Sequence, residues 1–313
     1  MISYIIRRIG LSVITLLGVI TLIFLVVRLA PGDPVTVLLG DFYTEEAAAE
    51  LTREFGLDRP LPVQYFTYLG NMLRGQFGKS YATGKPVMRQ LLDAVPYTIH
   101  LAFGSMAFSL LVGIPTGIAA ALNRNSWIDM ISMTFASMFI AIPGFLVGLV
   151  LMRIFSLDLG ILPLHGVGEP GNFASIVKHL ILPSIALGSP TGAITARMTR
   201  SSILEVMNND YVRTARAKGL SERVVNLKHV LRNAMVPILS MVGLSIVRRF
   251  GGSAVLEIIF NRRGIGSLLV NSIYDRDYMQ VQLTVLFFAA SLVFINLLID
   301  IAYSFLDPRI RYD

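Results

Sequence analysis

The chain has 313 residues, of which 54% are hydrophobic and only 15% are charged. Soluble domains carry about 25% charged residues, so this composition, with a mean hydropathy of +0.65, excludes an ordinary soluble protein and predicts an integral membrane protein. The net charge of +7 would suggest nucleic acid as a partner of a soluble protein. In a membrane protein, basic residues instead collect in cytoplasmic loops. The absence of cysteine excludes disulfides, thiolate metal sites and cysteine nucleophiles.

Six runs without Asp, Glu, Lys or Arg predict transmembrane helices, each of which needs about 20 apolar residues. The runs are Ile9 to Val27, Ala94 to Asn123, Met130 to Met152, His179 to Ala196, Asn233 to Val247 and Met279 to Ile299. A poor cleavage site follows the first run, which favours an uncleaved span over a signal peptide. The fourth run contains Pro183 and Pro190, which membrane helices tolerate inside a bundle.

The placement of charge predicts that both termini are cytoplasmic. The segments on the inside then hold 13 basic residues, eight of them between Arg197 and Arg232, whereas the outside segments hold ten over a much greater length. The long outside segment, from Pro31 to Val95, predicts an extracytoplasmic helical subdomain, in which Thr44 caps a helix. The predicted domains are residues 1–95, the first span with this subdomain, and residues 96–313, a five-helix core with a cytoplasmic loop at about 197–232.

Sequence patterns that could indicate catalysis or cofactor binding fail on inspection. Gly78-Lys79-Ser80 lacks the first glycine of a phosphate-binding loop, and the glycines at 166, 168 and 171 follow no predicted strand. The four histidines show no spacing typical of metal ligands. The sequence therefore predicts no catalytic, cofactor or metal site.

The loop at 197–232 predicts a helix, a glycine bend and a second helix. A less polar face recurs at three- and four-residue steps and runs toward Ala217: Ile203, Val206, Met207, Tyr211 and Thr214. Gly219 ends this helix and Ser221 opens the next. Such a basic loop can lie on anionic lipid, or the small residues at 215, 217 and 219 can let another protein approach its backbone. The pattern leaves both interpretations open.

A series of ordered motifs makes the chain recognisable. The loop contains DYVRTARAKG at 210–219 and LRNA at 231–234, followed by Pro237. Further motifs are RLAPGDP at 28–34, GLDRPL at 56–61, TGKPV at 83–87, RMTRSS at 197–202, NLLID at 296–300 and DPRIR at 307–311. Together they resemble the permeases of ATP-binding cassette importers, in the form found in the dipeptide, oligopeptide and nickel family.

This resemblance implies an all-α integral membrane protein with six transmembrane helices, the type I importer permease fold, and an extracytoplasmic helical insertion after the first helix. The implied partners are a second permease, two cytoplasmic ATPase subunits, an external or periplasmic solute-binding protein and membrane lipid, with no nucleic acid. The chain would be no enzyme and bind no cofactor, because the partner subunits use ATP. It would lie in the bacterial cytoplasmic (inner) membrane and import solutes by alternating access.

The resemblance assigns ATPase coupling to the loop residues Asp210, Tyr211, Arg213, Thr214, Ala215, Arg216, Ala217, Lys218 and Gly219. Peptides are the leading cargo; nickel or other metal chelates, glutathione or another small anionic solute are the alternatives within the same machinery. A secondary transporter driven by an ion gradient is the alternative of a different class, but it needs no loop that docks an ATPase.

Four arginines stand where the family pattern has few charges. Arg248 and Arg249 precede Gly251-Gly252, and Arg262 with Arg263 precedes Gly264. The first pair can lie at the outer interface, with lipid headgroups or Glu257 as partners, because long basic side chains reach toward water. Alternatively Arg248, Arg249 and Glu257 line the translocation path, where arginine would favour anionic solutes or peptide carboxylates.

Overall fold

A computed structural model describes residues 2–29, 34–235, 237–238 and 253–306. Apart from an isolated antiparallel bridge between Lys79 and Pro86, the regular structure of these residues is helical. The helices are α1 (Ile2–Leu29), α2 (Pro34–Leu39), α3 (Glu45–Glu54), α4 (Leu61–Leu73), α5 (Val87–Leu122), α6 (Trp127–Ala141), α7 (Gly144–Leu151), α8 (Phe173–Met207), α9 (Asp210–Ala217), α10 (Glu222–Val224), α11 (Ala254–Ile259), α12 (Ile265–Tyr274) and α13 (Tyr278–Leu306). A 3-10 turn follows α2, and π-helical turns at Met152–Asp158 and Val225–Leu231 continue α7 and α10.

Four of the described helices are long and apolar enough to cross a membrane. These stretches are Gly10–Leu29, Val87–Leu122, Phe173–Met207 and Tyr278–Leu297. They confirm the first, second, fourth and sixth predicted runs as apolar helices of spanning length. The fifth run, Asn233 to Val247, lies mostly outside the described residues.

The third predicted run, Met130 to Met152, forms two helical segments rather than one continuous helix. Trp127–Ala141 and Gly144–Asp158 meet at a bend of 104°. Pro143 explains the bend, because proline has no amide hydrogen and drives the preceding residue out of the helical region. Ile142 accordingly has a ψ of 126°. The third run is therefore helical but broken, and that it spans the membrane stays a prediction.

The chain divides into two compact units. Unit 1 comprises Met1–Pro96 and Gly264–Asp313, and unit 2 comprises Tyr97–Arg263. The division into domains 1–95 and 96–313 made from the sequence stays a prediction.

In unit 1, α1 and α12 both pack against α13. The predicted helix cap at Thr44 is confirmed, because the Thr44 hydroxyl oxygen accepts a hydrogen bond of 3.2 Å from the Ala47 backbone amide at the start of α3. The buried Asp277 carboxylate accepts hydrogen bonds from the Ser80 hydroxyl and, at 3.1 Å, from the Tyr81 amide. Ser80, whose segment lacks the first glycine of a phosphate-binding loop, thus links the segment before α5 to the start of α13.

In unit 2, α8 is the central helix, against which α6, α7 and α11 pack. It also approaches α5 at backbone distance through glycines four residues apart. A β-carbon added at Gly113 or Gly117 of α5 would lie 2.5 Å from the carbonyl oxygen of Gly192 or Ala196 of α8, respectively. Small residues with this spacing let membrane helices associate closely. The contact between α5 and α8 therefore requires glycine at both positions.

A bidentate ion pair joins α6 to α8. Arg200 Nε lies 2.6 Å from Asp129 Oδ1, and Arg200 Nη2 lies 2.7 Å from Asp129 Oδ2. The backbone amide of Asn125 also donates to the Asp129 carboxylate, at 3.0 Å. Because the Asp129 side chain is only 7% exposed, its carboxylate needs these partners. The ion pair therefore fixes the turn between α5 and α6 against α8.

Replacing Gly117 with alanine should destabilise the folded protein. The new methyl group would meet the Ala196 carbonyl, and overpacking of this kind costs about 1–3 kcal/mol. Thermal unfolding of the purified protein in detergent measures the effect. The matched control is Gly18→Ala in α1, where an added β-carbon meets no atom within 4 Å. Equal melting temperatures for the two variants would contradict the backbone contact between α5 and α8.

A double-mutant cycle tests the ion pair between Asp129 and Arg200. Asp129→Asn and Arg200→Gln should each lower the melting temperature, and the double variant should lose less than the sum of the two. Groups in one charged network show coupling of about 0.5–3 kcal/mol. Strictly additive losses in thermal unfolding would show that the two side chains do not stabilise each other.

Candidate functional site

The short helix α9 is separated from α8 by a break at Asn208 and Asn209. Helix α8 ends at Met207, and Asn209 is extended, with a ψ of 147°, before α9 begins at Asp210. Asparagine is a poor residue inside helices but a favourable one where a helix begins. The prediction of one continuous helix through this segment to Ala217 is therefore wrong.

The inner face of α9 packs against other helices of unit 2, the unit to which α9 belongs. Val212 and Ala215 are buried in a cluster with Ala121 at the end of α5 and with Val225 and Val230 of the π-helical turn. The less polar face predicted from the sequence included Tyr211 and Thr214, which are exposed, because the break before α9 shifts the helical phase. Buried contacts thus tie α9 to α5 and to the chain that follows it.

The outer face of α9 is polar and exposed. The side chains of Asp210 and Arg213 are 98% and 73% exposed. The other exposed residues of the predicted coupling loop are Tyr211, Thr214, Arg216, Ala217, Lys218 and Gly219. Of the residues assigned to coupling, only Ala215 lies on the inner face, so its small side chain serves packing within this chain.

Gly219 ends α9 as predicted. Its φ is +77°, in the left-handed region that favours glycine. Its amide donates to the Arg216 carbonyl at 2.9 Å, and the Leu220 amide donates to the Ala215 carbonyl at 3.4 Å. The Arg216 guanidinium also binds both Glu222 oxygens, at 2.8 and 3.3 Å. The bend therefore joins α9 and α10 in a defined geometry.

The residues assigned to a translocation path are only partly described. Arg248 and Arg249 lie outside the described residues. Glu257 is buried in unit 2, where its Oε1 accepts hydrogen bonds from the Thr98 hydroxyl at 2.7 Å and the Ser253 hydroxyl at 3.0 Å. The path through these three residues stays a prediction.

Arg262, one of the four unexpected arginines, has a structural role. Its buried side chain donates from Nη1 to the carbonyls of Gly166 and His179, each at 3.3 Å. His179 is four residues before Pro183, so its carbonyl is the one that proline leaves without an intrahelical partner. Arg262 therefore supplies a donor that the helix itself lacks, and Arg263 beside it is exposed.

Sequence reasoning missed the pair of Asp129 and Arg200. Arg200 belongs to a motif quoted above, but its partner lies 71 residues earlier in the chain. Neither residue has a local pattern that indicates the other. The one available signal was an acidic residue placed three positions after Ser126, which caps α6.

Comparison with known proteins agrees with this architecture. The family model described as "Binding-protein-dependent transport system inner membrane component" matches residues 113–312, and its N-terminal companion matches residues 1–102. Similar curated proteins include the glutathione transport system permease protein GsiC of Salmonella choleraesuis, 43% identical, and that of Escherichia coli strain K12, 40% identical. Each alignment covers 312 residues and the full length of both chains.

A solved structure shares the fold. The inward-facing MetNI methionine ABC transporter matches with a TM-score of 0.56 and 21% sequence identity, over 71% of this chain and 96% of that one. The type I importer permease fold predicted from the sequence is thereby confirmed. From the family models and the full-length relatives, the chain belongs to the inner membrane components of binding-protein-dependent transport systems, as a permease of an ABC importer.

Proposed function

We propose that this chain pairs with a second permease in an importer powered by two cytoplasmic ATPase subunits, and that α9 is the surface on which one ATPase docks. The observation that carries the proposal is the division of α9 into a buried face held by its own chain and a polar, exposed outer face. A solute-binding protein delivers the cargo on the side of the membrane opposite to the ATPase subunits. Both termini lie in the cytoplasm, and the partner subunits bind and hydrolyse ATP.

The anchoring of α9 explains how ATP could drive the permease. A ligand shifts a conformational equilibrium only through contacts that differ between the two states. ATP closes the ATPase pair and moves the docked helix; because Val212 and Ala215 pack against the end of α5, that movement passes to a membrane helix. A rigid helix that moves between two packed positions is a known element of such transitions. The spans then alternate between inward-facing and outward-facing arrangements.

Replacing Gly219 with valine should uncouple transport from ATP hydrolysis. A β-carbon at this position meets no atom within 4 Å, so the penalty comes from the φ of +77°, which β-branched residues avoid. The backbone would shift and reorient α9. In proteoliposomes with the solute-binding protein, uptake should fall at least about tenfold while basal ATPase activity remains.

The matched control for this variant is Gly171→Val. Gly171 also has a positive φ, of +82°, and open space around it, but it lies in the loop before α8 and is absent from the cluster that holds α9. Its backbone strain is similar, and uptake should stay close to that of the wild type. Wild-type uptake by assembled complexes of Gly219→Val would contradict the role of α9.

For the cargo, we propose glutathione or a small anionic peptide of the same class. Peptides were the leading prediction from the sequence, with glutathione among the alternatives. The full-length relatives named above are glutathione transport permeases, which favours glutathione. Glutathione is itself a tripeptide with two carboxylates, so it meets the expectation of a peptide and of an anionic solute together.

Competition in a reconstituted uptake assay tests this assignment. Uptake of labelled glutathione should be inhibited by unlabelled glutathione and only weakly by a neutral dipeptide or by Ni²⁺. The control is a preparation without the solute-binding protein, which should show no uptake. Preferential uptake of Ni²⁺ or of neutral dipeptides would contradict the proposed cargo.

A further inference from the structure

Unit 1 contains a cleft that neither the coupling loop nor the predicted translocation path includes. It has a volume of about 590 Å³, within the range of about 300–1,000 Å³ typical of small-molecule sites. Its walls come from the end of α1, from α3 and α4, from the segment before α5 and from α13. The predicted orientation places it on the extracytoplasmic side.

The charge of this cleft is strongly positive. Arg28, Arg53, Arg59 and Lys79 line it, and Glu54 is the one acidic residue among the lining residues that the structure describes. Clustered positive charges in a cleft raise the local concentration of anions. The cleft is therefore suited to an anionic ligand.

Several buried polar atoms in the lining lack partners among the described residues, and donors of Gln282 and Tyr68 are among them. Gln282 is only 2% exposed, and its Nε2 has no hydrogen-bond acceptor there. The Tyr68 hydroxyl is also buried without a partner. Burial raises the pKa of Tyr68 above its ordinary value, so this hydroxyl keeps its proton and can donate. A buried donor left unpaired is unfavourable, and a ligand oxygen would remove that penalty.

Arg28 is held in place in the lining of the same cleft. Its guanidinium carbon lies 5.6 Å from the centre of the Phe24 ring and 5.4 Å from that of Tyr278. Such cation–π contacts hold the guanidinium in place. Its Nε has no hydrogen-bond partner among the described residues, and an arginine edge that includes Nε can bind a carboxylate through two hydrogen bonds. Three donors from three different helices thus line one cleft: Arg28 of α1, Tyr68 of α4 and Gln282 of α13.

We propose that this cleft binds the carboxylate of a small anionic solute, with Arg28, Tyr68 and Gln282 as the groups that hold it. Arg53, Arg59 and Lys79 add attraction for a second carboxylate. The choice of glutathione as the probe rests on the proposed function; the site itself requires only a carboxylate. A phosphate of a lipid headgroup carries similar oxygens, so the experiment must separate the two sources.

Equilibrium dialysis of labelled glutathione against the assembled importer, without the solute-binding protein, tests the site. The complex is reconstituted in nanodiscs of phosphatidylcholine. We expect Arg28→Gln to weaken binding at least about tenfold, and the matched control Arg89→Gln, an exposed arginine of the same unit outside the cleft, to leave it unchanged. The dimethyl ester of glutathione, which lacks the charged carboxylates, should not compete.

Gln282→Leu separates binding from stability. Because it removes a buried Nε2 donor that has no described partner, it should leave the melting temperature unchanged or raise it, while it weakens glutathione binding at least about threefold. A purely structural role would instead lower the melting temperature and leave binding by the folded protein intact. That result, equal binding by Arg28→Gln and Arg89→Gln, or competition by the diester would each overturn the proposal.

Two further measurements identify the source of the anion and separate this proposal from the proposed cargo. Loss of glutathione binding when phosphatidylglycerol is added to the nanodiscs would assign the cleft to a lipid headgroup and overturn the solute site. Glutathione uptake by the wild type without binding that depends on Arg28 would overturn the cleft and leave the cargo in place. If the wild type takes up no glutathione, the proposed cargo is wrong, and succinate becomes the probe for the cleft. Succinate binding that depends on Arg28 would support the carboxylate site, and binding that does not depend on Arg28 would overturn it.

Discussion

The need to give every backbone polar group a partner inside a membrane shapes the centre of this permease. Helix α8 runs from Phe173 to Met207 through two prolines, each of which removes one intrahelical hydrogen bond. At Pro183 the freed carbonyl of His179 receives a hydrogen bond from Arg262. The carbonyl freed by Pro190 belongs to Ala186, and Gly144 of α7 lies against it so closely that a β-carbon would be 2.8 Å away. A side chain from elsewhere in unit 2 therefore compensates the first of these defects, and at the second the missing side chain of Gly144 lets α7 approach closely.

A part of the fold could be predicted when its cause is local in the sequence. Spans such as Ala94 to Asn123 follow from a local property, the absence of charge over a sufficient length, and the structure confirms this helix of α5. The end of α9 at Gly219 is equally local, because it depends on one residue's freedom at positive φ. By contrast, Pro143 bends the third run whereas Pro183 and Pro190 leave α8 continuous. The difference depends on neighbours that are distant in sequence.

The candidate site shows the same limit. The motif at 210–219 indicated where α9 lies, but the break at Asn209 changed which of its faces is buried, and a 3.6-residue period cannot reveal such a shift in phase. Asp129 and Arg200 are separated by 71 residues, and Arg28, Tyr68 and Gln282 come from three helices. A single sequence carries no signal for such contacts. The family resemblance identified the machinery, whereas the chemistry of individual side chains required coordinates.

The bend at Pro143 also bears on where water can reach. Helix α6 has 15 residues and rises about 22 Å at 1.5 Å per residue, less than the roughly 30 Å of a bilayer's hydrocarbon core. If α6 starts at one membrane surface, the bend therefore lies within the hydrocarbon depth, and Ala141 and Pro143 are exposed there. Irregular backbone does not face lipid chains, because hydrocarbon offers it no hydrogen bonds. In the assembled importer the bend must therefore contact either a neighbouring subunit or water. If it contacts water, the transport route is hydrated at this depth.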